Sequence, residues 1–163
     1  MEVVETVVAL VLAMAIMVAG LLLIYPYIRG KQAEQRLEIG KRIAYSIVNG
    51  IEGVVSSGVG ASSTLSVVLP EEIVVVYGNN SVDIVVMSGP KYESNVTLSN
   101  LSITYITLEP AGDKIILSIH VKSGWNLTMS GLASSGRQNY VRIDYYFYNA
   151  TSNVGYIRIN WGG

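Results

Sequence analysis

The side chains that could catalyse a reaction or hold a metal are few and widely spaced. His120 is the single histidine, the chain has no cysteine, and Glu71 and Glu72 are adjacent. Neighbouring residues of a strand point to opposite faces, so these glutamates do not form an acid–base pair. The aspartates also lack the short spacing of a metal-binding loop: Asp83, Asp113 and Asp144.

An enzymatic site would need the fold to bring distant polar residues together. A surface enzyme of this kind is the third and least favoured interpretation, and its candidates are Glu93, Glu109, Asp144 and His120. The net charge of −1 also gives no strong electrostatic attraction to nucleic acid. We therefore predict a protein that is not an enzyme, that needs no cofactor or metal, and that does not bind nucleic acid.

A second kind of chemistry is modification of asparagine. Five Asn-X-Ser/Thr sequons occur, all beyond residue 60, at Asn79, Asn95, Asn100, Asn126 and Asn149. Such triplets also arise by chance where Ser, Thr and Asn are common. Their number and their turn-like surroundings favour N-linked glycans on an exterior domain.

The elements that position these residues begin with an apolar segment, residues 1–28. It contains the acids Glu2 and Glu5 but no basic residue, and from Val7 to Ile24 it is almost wholly aliphatic. About eighteen residues span roughly 27 Å as a helix, which is close to the thickness of a bilayer's hydrocarbon core. Pro26 lacks the N–H that would bond the carbonyl four residues earlier, so we expect a bend or local unwinding there.

Residues 29–60 predict an amphipathic continuation of this helix. Apolar or small residues recur at alternating spacings of three and four, in a narrow stripe flanked by charges: Leu37, Gly40, Ala44, Ile47, Ile51 and Val54. The Gly- and Ser-rich run that follows is typical of a helix end and linker. The first domain is therefore predicted to cover residues 1–60.

Residues 61–163 predict a β-sandwich head. Apolar and polar residues alternate with period two, as in residues 115–122 and in residues 139–148, where Val141, Ile143, Tyr145 and Phe147 form one set. About seven such runs are separated by turn sequences and by no helix. The predicted class is α+β, with a long N-terminal α-helix, hydrophobic then amphipathic, followed by an antiparallel, Ig-like sandwich.

The side of the membrane on which the head lies is indicated by two conflicting signals. The basic residues that flank the apolar segment all follow it, which by the positive-inside rule places the head in the cytoplasm. The sequons indicate an exterior domain. A short basic leader before Met1, removed by processing, would reconcile them, so we expect Met1 to be the first residue of a processed chain.

Met1, Glu5 within an apolar helix, the amphipathic continuation and the β domain together resemble a type IV pilin. The all-β head with scattered sequons is more similar to the archaeal branch of that superfamily, and archaellins share the same plan. The resemblance implies helices bundled in a filament core and a precursor inserted in the membrane. It also implies a leader peptidase and pilus assembly machinery as partners.

The resemblance further implies that the α-amine of Met1 meets the carboxylate of Glu5. A carboxylate in hydrocarbon is costly, and this amine is the only expected positive group in residues 1–28. A neighbouring chain, staggered along the axis, can bring its amine beside Glu5 and so set the register between subunits. The alternative, which we prefer for Glu2, is an acid that favours the positive end of the helix dipole.

The favoured function is a structural subunit that polymerises with itself into an extracellular surface filament, with adhesion as its role. Its assembly residues are Met1, Glu5 and Pro26. The alternative is a single-pass, membrane-anchored cell-surface binding or accessory protein, in which the same helix is only an anchor.

Overall fold

The computed structural model describes residues 2–162 and begins with one long α-helix. Helix α1 runs without interruption from Glu2 to Ser57, which is roughly 84 Å at 1.5 Å per residue. Pro26 lies inside it, so of the two alternatives expected at this proline, a bend or local unwinding, the unwinding does not occur. One missing backbone hydrogen bond is tolerated because long helical segments continue on both sides of it.

The head is built from strands. Nine follow α1 in the described chain: β1 Ser62–Leu69, β2 Ile73–Tyr77, β3 Ser81–Met87, β4 Val96–Asn100, β5 Thr104–Ala111, β6 Lys114–Val121, β7 Trp125–Ser130, β8 Arg137–Asn149 and β9 Val154–Gly162. They form a four-stranded sheet of order β1-β8-β9-β7 and a five-stranded sheet of order β2-β3-β6-β5-β4. The predicted α+β class with a β-sandwich head is confirmed.

The predicted antiparallel pairing holds for every strand pair of the two sheets except one. Strand β9 lies between β7 and β8 in the four-stranded sheet. It pairs with β8 antiparallel and with β7 in parallel. Strands β4 and β7 were not among the seven predicted runs. Both are short: β4 has no buried side chain, and β7 alternates apolar with polar residues but buries only Leu127.

The second half of α1 packs into the core that both sheets share. It contacts β1 and β8 of one sheet and β3, β5 and β6 of the other. Its buried side chains confirm and widen the predicted stripe: Ala33, Leu37, Ile43, Ala44, Ile47, Val48, Ile51 and Val54. A Cβ at Gly40 would lie 2.8 Å from Val86, and one at Gly50 would lie 2.6 Å from Ile143, so the helix backbone closely approaches both sheets.

The head has two ends that are defined by α1. At the proximal end, where α1 enters the head, Arg36 binds Glu72 just before β2. At the distal end, near the C-terminus of α1, Glu52 binds the first residue of β5, Thr104. The strand registers then place the β3–β4 loop and the β5–β6 turn at the proximal end. The β2–β3, β6–β7 and β8–β9 connections lie at the distal end.

Candidate assembly and modification sites

The first half of α1 exposes its apolar side chains on all sides. Between Val3 and Ile28 every large hydrophobic side chain is exposed, from 46% at Ile28 to 79% at Leu23. An 18-residue stretch of this helix has a mean hydropathy of 3.1, and none of it is buried within the chain. By length and composition α1 can cross a membrane. An all-round apolar helix needs lipid or other protein around it.

Glu5 lies in this exposed segment. Within residues 2–162 it forms no ion pair with another side chain. The first basic residue after it is Arg29, 24 positions on (29 − 5) and roughly 36 Å away along a straight helix. The predicted partner, the α-amine of Met1, lies outside the described residues, as does the side chain of Glu2. Apart from the amine of Met1, a cationic partner for Glu5 would therefore have to come from another molecule.

A carboxylate at the distal end fastens α1 to the five-stranded sheet. Oε1 of Glu52 accepts hydrogen bonds from the N–H groups of Ile103 and Thr104, both at 3.0 Å, and from the Thr104 hydroxyl at 2.7 Å. At the proximal end, Arg36 Nη2 lies 3.0 Å from Glu72 Oε1. The helix is thus held at both ends of the head. Sequence reasoning missed this role of Glu52, although an acid directly after the buried Ile51 was a usable signal.

The predicted glycosylation residues are accessible, and most lie at one end. Asn79, Asn95, Asn100 and Asn126 are exposed, and Asn149 is half-buried. Four are distal: Asn79 in the β2–β3 turn, Asn100 at the end of β4, Asn126 near the start of β7, and Asn149 at the end of β8. Asn95 precedes β4, nearer the proximal end.

The side-chain oxygen of Asn149 is already engaged in a turn. It accepts hydrogen bonds from the N–H groups of Thr151, at 3.0 Å, and Ser152, at 3.3 Å. Such bonds stabilise the chain reversal between β8 and β9. Because these bonds use only the oxygen, the side-chain nitrogen that carries an N-linked glycan is not used by them.

Aromatic side chains cluster on the outer face of the four-stranded sheet. The prediction that Phe147 shares the inward face with Tyr145 was wrong, because a bulge between these residues shifts the register. Phe147 is 50% exposed, and its ring centroid lies 5.6 Å from that of Tyr156. The Tyr146 ring also contacts Tyr156, and Arg158 lies 4.9 Å from the Tyr146 ring centroid.

The residues considered for a surface enzyme lie in separate places. His120 stacks on Tyr105 in the five-stranded sheet, with ring centroids 4.7 Å apart. Asp144 belongs to the other sheet, where Arg142 and Asn160 bind its carboxylate. No cluster of three or more metal-binding side chains occurs among the residues that the structure describes. Glu93 and Glu109 lie before β4 and on β5. The fold does not assemble these four residues into one site.

The described geometry therefore defines a class: a β-sandwich head firmly attached to a helix whose first half is exposed, apolar and long enough to span a membrane. Comparisons with family models, with curated proteins and with solved structures found no match to this chain. Its function has to be argued from the arrangement of its own residues.

Proposed function

We propose that this chain is a pilin, a structural subunit that polymerises through the first half of α1 into an extracellular filament resembling a type IV pilus. The observation that carries the proposal is the contrast within α1. Residues 3–28 are apolar and exposed all round, whereas residues 33–54 are fastened into the head. A head joined to an exposed apolar α-helix is the shape that a filament with a core of bundled α-helices requires.

The driving interaction is burial of the apolar helix against identical helices. Before assembly the segment lies in lipid, and in the filament the helices of neighbouring subunits replace the lipid contacts. Small residues at Ala9, Ala13 and Gly20 allow close approach of helix backbones, as in other helix pairs formed in membranes. Repetition of the same heterologous contact produces an open helix rather than a closed ring.

Glu5 sets the register of the helices in this proposal. In a bundle of apolar helices its carboxylate loses water, and at a bilayer centre that costs about 2.5–3.5 kcal/mol. A cation from an adjacent subunit offsets the cost at only one axial stagger. We assign this role to the α-amine of Met1, so that Met1 and Glu5 of different subunits form the pair.

The head forms the outer wall of the filament. In such a filament, with the α-helices bundled at its core, we expect the distal end of the head and the outer face of its four-stranded sheet to face solvent. Four of the five sequons lie at the distal end. N-linked glycans there would cover the exterior without entering the core. The polar and aromatic exterior suits adhesion to surfaces or cells. A leader peptidase and an assembly machinery are the further partners of this role.

The test is negative-stain electron microscopy of material sheared from the native cells, or of the purified chain after the detergent that keeps it dispersed has been removed. We expect thin filaments of uniform diameter whose mass is dominated by this chain. Discrete particles, which stay in the membrane fraction and need detergent to remain dispersed, would overturn the proposal.

Discrete particles would support the second candidate, a single-pass membrane-anchored binding or accessory protein. One observation favours it. Tyr25, Tyr27 and Arg29 directly follow the apolar stretch, which is the arrangement of an interfacial anchor, and the Arg29 guanidinium lies 4.6 Å from the Tyr25 ring centroid. The outer aromatic face would then serve as the binding surface.

A further inference from the structure

A cleft opens at the proximal end of the head, beside the point where α1 emerges. One wall is α1 from Tyr25 to Arg36, and the other is the β3–β4 loop from Ser88 to Lys91 with the β5–β6 turn at Gly112 and Asp113. Its volume is about 960 Å³. We call it the juxtamembrane cleft.

Cationic groups dominate the lining of this cleft. Arg29, Arg36 and Lys91 line it, against the single carboxylate of Asp113. Arg36 is neutralised by Glu72, 3.0 Å away. Arg29 and Lys91 form no ion pair within the described chain, and the contact that the structure gives to the Arg29 guanidinium is the Tyr25 ring. The cleft therefore presents two cations that form no ion pair, Arg29 and Lys91, against the carboxylate of Asp113, so its lining keeps a net positive charge.

The position of the cleft along α1 matches the headgroup layer of a membrane. Its helical wall starts at Tyr25, directly after the aliphatic run that ends at Ile24. The twelve residues from Tyr25 to Arg36 extend roughly 18 Å along the helix, beyond a hydrocarbon core of about 30 Å. When the apolar half of α1 spans the bilayer, the cleft lies beside lipid phosphates.

We propose that the juxtamembrane cleft binds the phosphate headgroup of an anionic membrane lipid, with Arg29 and Lys91 as its cationic ligands. Arginine presents a planar fork of donors that matches phosphate oxygens, and lysine adds a point charge. The site gives the basic residues that follow the apolar segment a role on the same side of the membrane as the head. It depends on α1 spanning a membrane and holds for a filament precursor and for a permanent anchor alike.

The test uses the full-length chain incorporated into vesicles of phosphatidylcholine and phosphatidylglycerol, extracted in mild detergent and measured by native mass spectrometry. We expect retained phosphatidylglycerol in excess of its share in the vesicles. Removing two cations near an anionic lipid surface, in Arg29→Gln/Lys91→Gln, should lower its retention about tenfold or more.

Two further variants separate a cleft from general surface charge. The control is Arg42→Gln/Lys122→Gln, which removes the same charge away from the cleft lining and should retain the lipid as the wild type does. Gly30→Leu keeps every charge but extends a side chain from a cleft-lining position, where no atom lies within 4 Å of an added Cβ. This variant should also lose the lipid. Circular dichroism checks that each variant is folded.

Three results would overturn the proposal. The first is lipid retained in proportion to the vesicle composition. The second is equal loss in the control and cleft variants, which would show a diffuse charge effect. The third is occupation by something else: displacement of the lipid by inorganic phosphate alone at millimolar concentration, or a crosslink from Lys91 to a second copy instead of lipid. The lipid measurements have no bearing on filament formation, which microscopy tests separately.

Discussion

Residues 3–28 and residues 33–54 belong to one uninterrupted helix, but their surroundings are opposite. In the first half the apolar side chains point in every direction, and all the large ones are exposed. In the second half most of them form a stripe that is buried between two sheets, and only Ile39 and Tyr45 are exposed among its large ones. The second half buries its apolar stripe within the chain, whereas the first half finds nothing in the chain to cover its apolar side chains.

This contrast separates the part of the helix that stabilises the fold from the part that carries function. A substitution in the second half should change the stability of the head. One in the first half should leave the head unchanged and alter what the chain associates with.

Ile47→Ala should destabilise the head strongly. The Ile47 side chain is fully buried between the sheets, and such a truncation costs about 2–5 kcal/mol in unfolding free energy because it leaves a cavity. Urea denaturation of the full-length chain in detergent, followed by circular dichroism, measures it. The matched variant is Ile16→Ala, where the side chain is 64% exposed and the head should lose less than about 0.5 kcal/mol. Equal effects would abolish the distinction between the halves.

Glu52→Ala should loosen the distal attachment of α1. It leaves the N–H groups of Ile103 and Thr104 without their acceptor, at an expected cost of about 1–3 kcal/mol. Hydrogen exchange at these two amides should quicken more than exchange in the middle of β5. Glu52→Gln keeps an acceptor oxygen and should recover part of the loss. Unchanged exchange in the Ala variant would mean that the contact does not hold the helix.

Glu5→Gln should affect assembly and not folding. Losing the proposed ion pair between subunits should reduce filament yield about tenfold, which corresponds to about 1.4 kcal/mol per contact. Electron microscopy and sedimentation of assembled material measure it, while the urea midpoint of the head should not move. Lys31→Gln, just beyond the apolar segment, serves as a charge control. Filaments of wild-type yield and symmetry from Glu5→Gln would refute the register role.

The features that the sequence predicted correctly are those that local pattern encodes. The stripe from Leu37 to Val54 was readable because helical period and burial coincide there. Sequons are likewise local triplets, so their positions were known, although their clustering at the distal end was not. That clustering depends on strand registers, which unite residues far apart in the chain.

Three of the missed features have no local signal: the face on which Phe147 lies, strand β4 and the juxtamembrane cleft. Phe147 changed faces because one bulged residue reverses the alternation of every side chain after it. Strand β4 carries no buried alternation, since its side chains are exposed or half-buried. The juxtamembrane cleft joins α1 to a loop more than fifty residues later, so neither wall indicates the other.

The smallest effect is expected at the surface of the second half. Glu38 and Lys41 lie one helical turn apart, with Oε1 and Nζ separated by 2.8 Å, and this hydrogen bond holds the pKa of the Glu38 carboxyl below its ordinary value. A carboxyl whose pKa is lower in the folded chain than in the unfolded chain stabilises the fold at pH values above the pKa of the unfolded chain. That contribution is lost as the pH falls through the pKa of the folded chain. Lys41→Met should therefore raise the Glu38 pKa, measured by NMR titration. Because Glu38 is solvent-exposed, the urea midpoint at neutral pH should stay unchanged. A clear loss of stability would show that the solvent-exposed face of α1 contributes to the fold as its buried face does.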